Sequence, residues 1–237
     1  DSEELELHAL VRNPDKIQKI KNIHYHQGSM ETIKIQKQRL VEIDYLIHLA
    51  TEWGDSKNTV KSNVKQTITL LNLLNPKRIK HIIYFSSASI LNKDSQPLTE
   101  ALTKGTHYIK SKYLAYQEIK KHELNDKITT VFPTLTLGGN ASSPYTHFQS
   151  GIIKDKRYLK LLKWGFTDTN FHFIHCHDIA TIIKKILPES PTSEPLVLGN
   201  KKIHLKDAIY ELCNMFNEKV WIQVKWPKWF LRILSII

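Results

Sequence analysis

The chain has 237 residues, enough for one sizeable α/β domain or a main domain with a smaller lobe. Its 41% hydrophobic and 24% charged residues are ordinary for a globular protein, but 34 Lys+Arg against 23 Asp+Glu give a net charge of +11, a field that favours anionic partners. Two cysteines exclude a disulfide framework and point to a reducing, cytoplasmic setting; no secretory signal is expected, and no stretch approaches the roughly 20 apolar residues that span a bilayer.

In chain order, "LELHALVRNP" (5–14) alternates apolar and polar residues up to a proline turn and predicts a strand. "IHYHQG" (23–28) is a second, weaker strand candidate. "YLIHLAT" (45–51) is mostly apolar and reads as a strand covered on both faces. "NTVKSNVKQTITLLNLLN" (58–75) predicts a helix stopped by Asn75-Pro76. "KHIIYFSSASIL" (80–91) runs four apolar residues into a serine cluster, and "THYIKSKYLAYQE" (106–118) predicts a helix. "ITTVFPTLTLGG" (128–139) reads as one further strand with a glycine exit. Strands alternating with helices predict βαβ units and a doubly wound parallel sheet, Rossmann-like in plan. No repeat or low-complexity tract is visible.

A nucleotide-binding sheet of that kind opens with a strand, a glycine-rich turn and a helix. The first glycine here is Gly28, well past the first strand, and nothing matches G-x-G-x-x-G. The expectation is that the sequence starts inside the fold, at the second strand, with the N-terminal strand and glycine-rich loop belonging to residues before Asp1. A natural truncation that abolishes cofactor binding is the competing account.

Read together, these segments resemble the extended short-chain dehydrogenase/reductase family, the NAD(P)-dependent epimerases, dehydratases and reductases. "YLIHLAT" is similar to the family strand ending His-Leu-Ala. "SNVKQTITLLNLL" resembles its Asn-Val-x-Gly-Thr helix, with Gln66 for the glycine. "IIYFSSASIL" resembles the strand ending in the catalytic serine, and "YIKSK" the Tyr-x-x-x-Lys motif. "FPTLTLGG" resembles Arg-Pro-x-x-x-x-Gly with Phe132 for arginine, and "FHFIHCHDIATII" the later Val-x-Asp-hydrophobic-Ala segment. The match runs from about residue 5 to 213. Tyr-x-x-x-Lys alone is weak; six motifs in order speak strongly for the fold.

Residues four apart stack on one helix face, so Tyr108 and Lys112 can address one ligand. A phenol near pKa 10 is a poor proton-transfer group at neutral pH, and a nearby lysine charge is expected to lower it. The resemblance implies Tyr108 as acid/base, Lys112 as its activator and ribose anchor, and Ser87 as donor to the substrate oxygen, with Ser86 or Ser89 as the fallback. It also implies that Ala50, Thr51, Asn63 and Pro133 lie at the cofactor. "LVRNP" offers Arg12 and Asn13 where an acid would hold the NAD ribose; with no acid there, NADP is expected. Gln27 and Ser29 stand where the family often has Gly-Asp for the adenine.

Other signals are weaker. "HFIHCHD" (172–178) would set His175 and His177 on one strand face, but no further convergent group completes a metal site. Asp178 reads as a helix N-cap. The tail at 226–237 has two tryptophans and alternating basic residues; Lys228 and Arg232 would share a helix face and could touch an anionic membrane, or the tail packs on the domain. Net charge alone, without a recognisable module, does not imply nucleic acid.

The expectation is therefore an NADP-dependent oxidoreductase or epimerase acting on a hydroxyl- or carbonyl-bearing substrate, a nucleotide sugar or a small or lipidic ketone. Residues 1–140 would form the dinucleotide-binding domain and 141–237 mainly a substrate lobe, with 171–186 returning to the core. A homodimer is the family-based expectation. The rival is a non-catalytic scaffold of the same fold, motivated by the missing glycine loop and Phe132.

Overall fold

Short β-branched and aromatic runs separated by amphipathic helices give a parallel α/β arrangement in the structure, a computed structural model that describes residues 5–52, 57–139, 146, 163–215, 217–220 and 223–227. The strands are β1 (Leu7–Val11), β2 (Ile23–Gln27), β3 (Tyr45–His48), β4 (His81–Phe85), β5 (Ile128–Pro133), β6 (Leu135–Leu137), β7 (Gly165–Phe166), β8 (Asn170–Phe171), β9 (Phe173–His175), β10 (Leu196–Leu198), β11 (Ile203–His204) and β12 (Val224–Lys225). The helices are α1 (Lys37–Leu40), α2 (Lys57–Lys61), α3 (Thr67–Leu71), α4 (Glu100–Lys104), α5 (His107–Lys120), α6 (Cys176–Ile186) and α7 (Leu205–Met215). The chain divides into two compact units, 1–132 with 183–197, and 133–182 with 198–237. The first unit runs to Phe132 and takes up the chain again over 183–197, where β10 pairs at the sheet edge with β5.

In the first unit the central sheet has the order β10-β5-β4-β3. Tyr45 lies opposite His81 and Ile82 opposite Ile128, both pairs parallel. β1 and β2 pair parallel with each other and with no other described strand. Residues two apart on a strand share a face. Ile82 and Tyr84 of β4 therefore meet Leu71, Leu74, Ala115 and Ile119 in one buried cluster. On α5, Ala115 and Ile119 are four apart and supply that contact, while Tyr113 and Tyr116 pack with Ile90, Ala101 and Phe132. Phe132, at the family's arginine position, is wholly buried with its ring edge-on to Tyr116 at 5.3 Å, a core side chain.

Four local expectations are corrected. β3 is not covered equally on its two faces: Leu46 joins the core and His48 is buried, but Ile47, on the other face, is 39% exposed. The helix at 58–75 contains a π-helical stretch, Ser62–Gln66, and ends at Leu71, where backbone bonds tighten to Leu73 N→Leu70 O and Leu74 N→Leu71 O. Residues 128–139 form two strands, because Thr134 N bonds Leu198 O and β6 turns to pair parallel with β9. His177 and Asp178 already lie in α6, so Asp178 sits in its first turn rather than capping it, and His175 Nδ1 accepts from His177 N at 3.2 Å.

The second unit pairs β6 with β9, β8 with β11 and β7 with β12. Gly138 adopts φ +93°, and a Cβ there would run into the His175 ring. The Trp226 ring packs over Gly165, while the proposed membrane face with Lys228 and Arg232 lies outside the described residues. No described helix is long and apolar enough to cross a membrane.

Leu71 fills the cluster beneath β4, so Leu71→Ala should cost about 2–5 kcal/mol in urea unfolding, with the circular dichroism of the folded state unchanged.

Candidate active site

The site forms where β4 runs out against the first turns of α5. Thr106 caps α5, its Oγ1 accepting from Ile109 N at 3.3 Å, which starts the helix one residue before Tyr108. At the other side Ser87 caps the short turn Ala88–Ile90, accepting from Ser89 N at 3.3 Å with the two hydroxyls 2.8 Å apart. That turn leaves the Ser87 side chain hydrogen-bonded to the Tyr108 phenol. Of the three serines, Ser87 is the one placed at Tyr108; Ser86 Oγ is buried without a partner among the described residues.

Lys112 is 3% exposed and donates from Nζ to the Phe85 carbonyl at 2.8 Å. Its ammonium lies 5.5 Å from the centre of the Tyr84 ring and 5.8 Å from that of Tyr108. Burial pulls the Lys112 pKa down to about 8 and pushes the Tyr108 phenol up to about 12, against which the Ser87 hydrogen bond acts. The tyrosine is thus raised where a lowering by Lys112 was expected: loss of water around the phenol outweighs the Ser87 hydrogen bond that opposes it. At neutral pH Tyr108 carries its proton.

A cavity of about 570 Å³ opens beyond the ends of β1, β2 and β3. Arg12, Ala50, Thr51 and Asn63, four of the residues singled out from the sequence, line it. Asn13 and Pro133 do not; Asn13 instead caps the turn Pro14–Lys16, its Oδ1 accepting from Asp15 N. Sequence reasoning missed Glu31, Glu52 and His48, which share the lining. Two carboxylates therefore stand in the cavity, although the end of "LVRNP" itself supplies none. Nothing in the linear sequence marks Glu31, since only the loop after β2 carries it there.

His48 ends β3 and is buried beneath this cavity. Thr67 Oγ1 donates to Asn63 O at 2.7 Å, so it accepts from His48, 3.0 Å away, and the imidazole proton sits on Nε2. Burial, helped by the Lys112 charge, lowers its pKa to about 3, so the ring is neutral. Among the described residues no group of three His, Cys, Asp or Glu could hold a metal, and His175 and His177 are not brought into one.

The profile of the NAD dependent epimerase/dehydratase family matches residues 1–199. The chain belongs to that family. It is therefore an NAD(P)-dependent enzyme of the oxidoreductase/epimerase kind. No curated protein matches this epimerase/dehydratase chain in sequence. Solved structures share its fold. The crystal structure of gox2253 is 21% identical, covering 94% of this chain and 71% of its own, with a TM-score of 0.70. The Bordetella bronchiseptica enzyme WbmG, in complex with NAD, is 14% identical over 94% and 73%, TM-score 0.68. UDP-N-acetylglucosamine 4-epimerase from Methanobrevibacter ruminantium M1 is 14% identical over 88% and 72%, TM-score 0.62.

The residues present fit the nucleoside ends of NAD(P). Arg12 offers a fixed cation, Thr51 and Ser29 hydroxyls, and Glu31 and Glu52 acceptors for ribose or adenine donors. No described lining residue is a glycine, so a backbone cradle for the pyrophosphate is not among the described lining residues.

Because the folded His48 pKa lies below its unfolded value near 6.5, its contribution is complete above that value and is lost as pH falls toward 3. Urea unfolding between pH 7 and 4 should show a stability loss with a slope of up to about 1.4 kcal/mol per pH unit from this group, reduced in His48→Gln.

Proposed function

We propose that this chain transfers hydride at a hydroxyl- or carbonyl-bearing carbon of a nucleotide sugar, with NADP preferred and Tyr108 as the acid/base. The observation that carries the reading is the Ser87–Tyr108 hydrogen bond beside the buried Lys112. A bound nicotinamide supplies or accepts the hydride. Tyr108 holds a proton on its phenol oxygen at neutral pH and is poised to give it to a substrate oxygen in the reductive direction. Ser87 supplies a second hydroxyl at the same point, polarising that oxygen as charge develops on it. Lys112, still protonated at pH 7, supplies the positive charge that offsets a developing phenolate in the reverse direction, and its anchor on Phe85 O keeps it aligned. Burial of Tyr108 and Lys112 keeps water from competing for the proton.

A nucleotide-sugar substrate is supported by the net charge of +11 and by the likeness in fold to UDP-N-acetylglucosamine 4-epimerase. Arg12 in the cavity lining supports NADP, its guanidinium being suited to a 2′-phosphate. Glu31 and the neighbour in complex with NAD weigh the other way, so the preference rests on that one cation.

Titration of the full-length protein with each nucleotide, followed by nicotinamide fluorescence, should give tighter binding for NADPH than for NADH, and Arg12→Ala should remove about 10- to 100-fold of that difference. Equal affinities in the wild type would sink the NADP assignment. With a turned-over nucleotide sugar, Tyr108→Phe should lower kcat by roughly 10²–10⁴-fold. Lys112 is charged below its pKa and neutral above, so kcat/KM should fall as pH rises through about 8, a limb that Lys112→Met should lack. Tyr108, pushed up to about 12, contributes no limb in that range.

A further inference from the structure

The Lys112 anchor fixes one side of α5; the other side is held by a chain of side-chain bonds that the proton-transfer reading does not use. Asn63 is 7% exposed and sits within the π-helical stretch Ser62–Gln66. Its amide grips the backbone of Glu52 in both directions, Oδ1 accepting from Glu52 N at 2.7 Å and Nδ2 donating to Glu52 O at 3.0 Å. The same Oδ1 accepts from Thr51 Oγ1 at 3.3 Å. The second Nδ2 proton goes to Ser111 Oγ at 2.9 Å. Ser111 is wholly buried, and its hydroxyl donates in turn to the Tyr108 carbonyl at 2.7 Å.

The Asn63 amide has both acceptor sites and both donor protons in use, and most of the chain of bonds lies out of water. A buried amide proton without an acceptor costs the full desolvation of that group, so Asn63 cannot rotate away from Ser111 without loss, nor can Glu52 leave Asn63. Thr51 and Glu52 line the cavity, and Tyr108 carries the phenol. The wall of the cavity and the backbone of the proton-transfer residue are therefore joined by two side chains.

We propose that Ser111 is a positioning residue: with Asn63 it locks the Thr51–Glu52 wall of the cavity to the backbone of Tyr108, so that occupancy of the cavity is felt at the phenol. The proposal rests on the cavity taking a nicotinamide nucleotide. Ser111 touches neither ligand nor reacting atoms; it acts through Asn63 on one side and the Tyr108 carbonyl on the other. The π-helical stretch is part of the device, since a shift of the backbone ladder there accompanies an asparagine side chain turned to a loop and to a neighbouring helix at once.

The test has two arms on the full-length chain. In the nucleotide-free protein, amide hydrogen exchange of Glu52 is compared between wild type and Ser111→Ala, with the Ile82 amide of the central sheet as the reference for global opening. Faster exchange at Glu52 by about 10-fold, with Ile82 unchanged, is expected; equal exchange at Glu52 overturns the lock. In the second arm, tyrosine ring-carbon NMR, with the Tyr108 signal assigned through Tyr108→Phe, follows titration with NADPH. The wild-type signal should shift on binding. Ser111→Ala should still bind NADPH, within about 10-fold of wild type, but with the Tyr108 shift reduced by more than half. In the exchange arm Asn63→Ala, which removes the grip on Glu52 itself, should speed Glu52 at least as much, and the double variant should do no more than Asn63→Ala alone, as expected of one unit. A full wild-type shift in Ser111→Ala overturns the proposal. Failure of the wild type to bind either nucleotide would overturn the cofactor reading itself, while the exchange arm still decides whether Ser111 holds the loop.

Discussion

A lysine charge held inside the protein is the constraint on which the first unit turns. Lys112 loses almost all its water, and what replaces that water is one backbone carbonyl, Phe85 O, and the faces of Tyr84 and Tyr108. Such a replacement is incomplete, which is why the ammonium is easier to deprotonate than in water. It works only if the end of β4 and the first turns of α5 stay in one geometry. The apolar cluster of Ile82, Tyr84, Leu71, Ala115 and Ile119 supplies that rigidity from below.

The neighbouring groups adjust to the same charge. His48 cannot gain a second positive charge beside it in a dry interior and stays neutral, its single ring proton committed to Thr67. Tyr84 is pushed further toward its neutral form by burial and by Tyr108. Tyr108 also stays neutral, so the polar core of the site holds one cation and no resident anion. A substrate oxygen on which charge develops would meet a phenol, a serine hydroxyl and that cation without a competing carboxylate among them. The carboxylates, Glu31 and Glu52, stand instead in the cavity lining.

The motif residues and their roles were open to sequence reading to different degrees. Periodicity placed β1, β2, β4 and α5 well, because each is a short run with clear stops at Pro14, Gly28, the serine cluster and Thr106. It failed at 128–139, where Pro133 and the pull of β9 split one apolar run, and at 172–178, where a strand gives way to a helix after His175. A one-dimensional pattern does not say which partner a strand will find. The departure at Phe132 was visible as a letter, but its meaning, a core ring against Tyr116, came only from packing.

By itself the sequence determined the parallel α/β class, the family to which the chain belongs, and the helical spacing that sets Tyr108 and Lys112 on one face. All three are properties of local order and of motifs in series. The tertiary structure decided which of three adjacent serines faces the phenol, the direction in which the tyrosine pKa moves, and the acids that share a cavity with Arg12. It also decided that Asn63 bonds to Ser111, 48 positions away, rather than only lining the cavity. Those outcomes depend on burial and on contacts between distant segments, and both come into being only when the chain has folded.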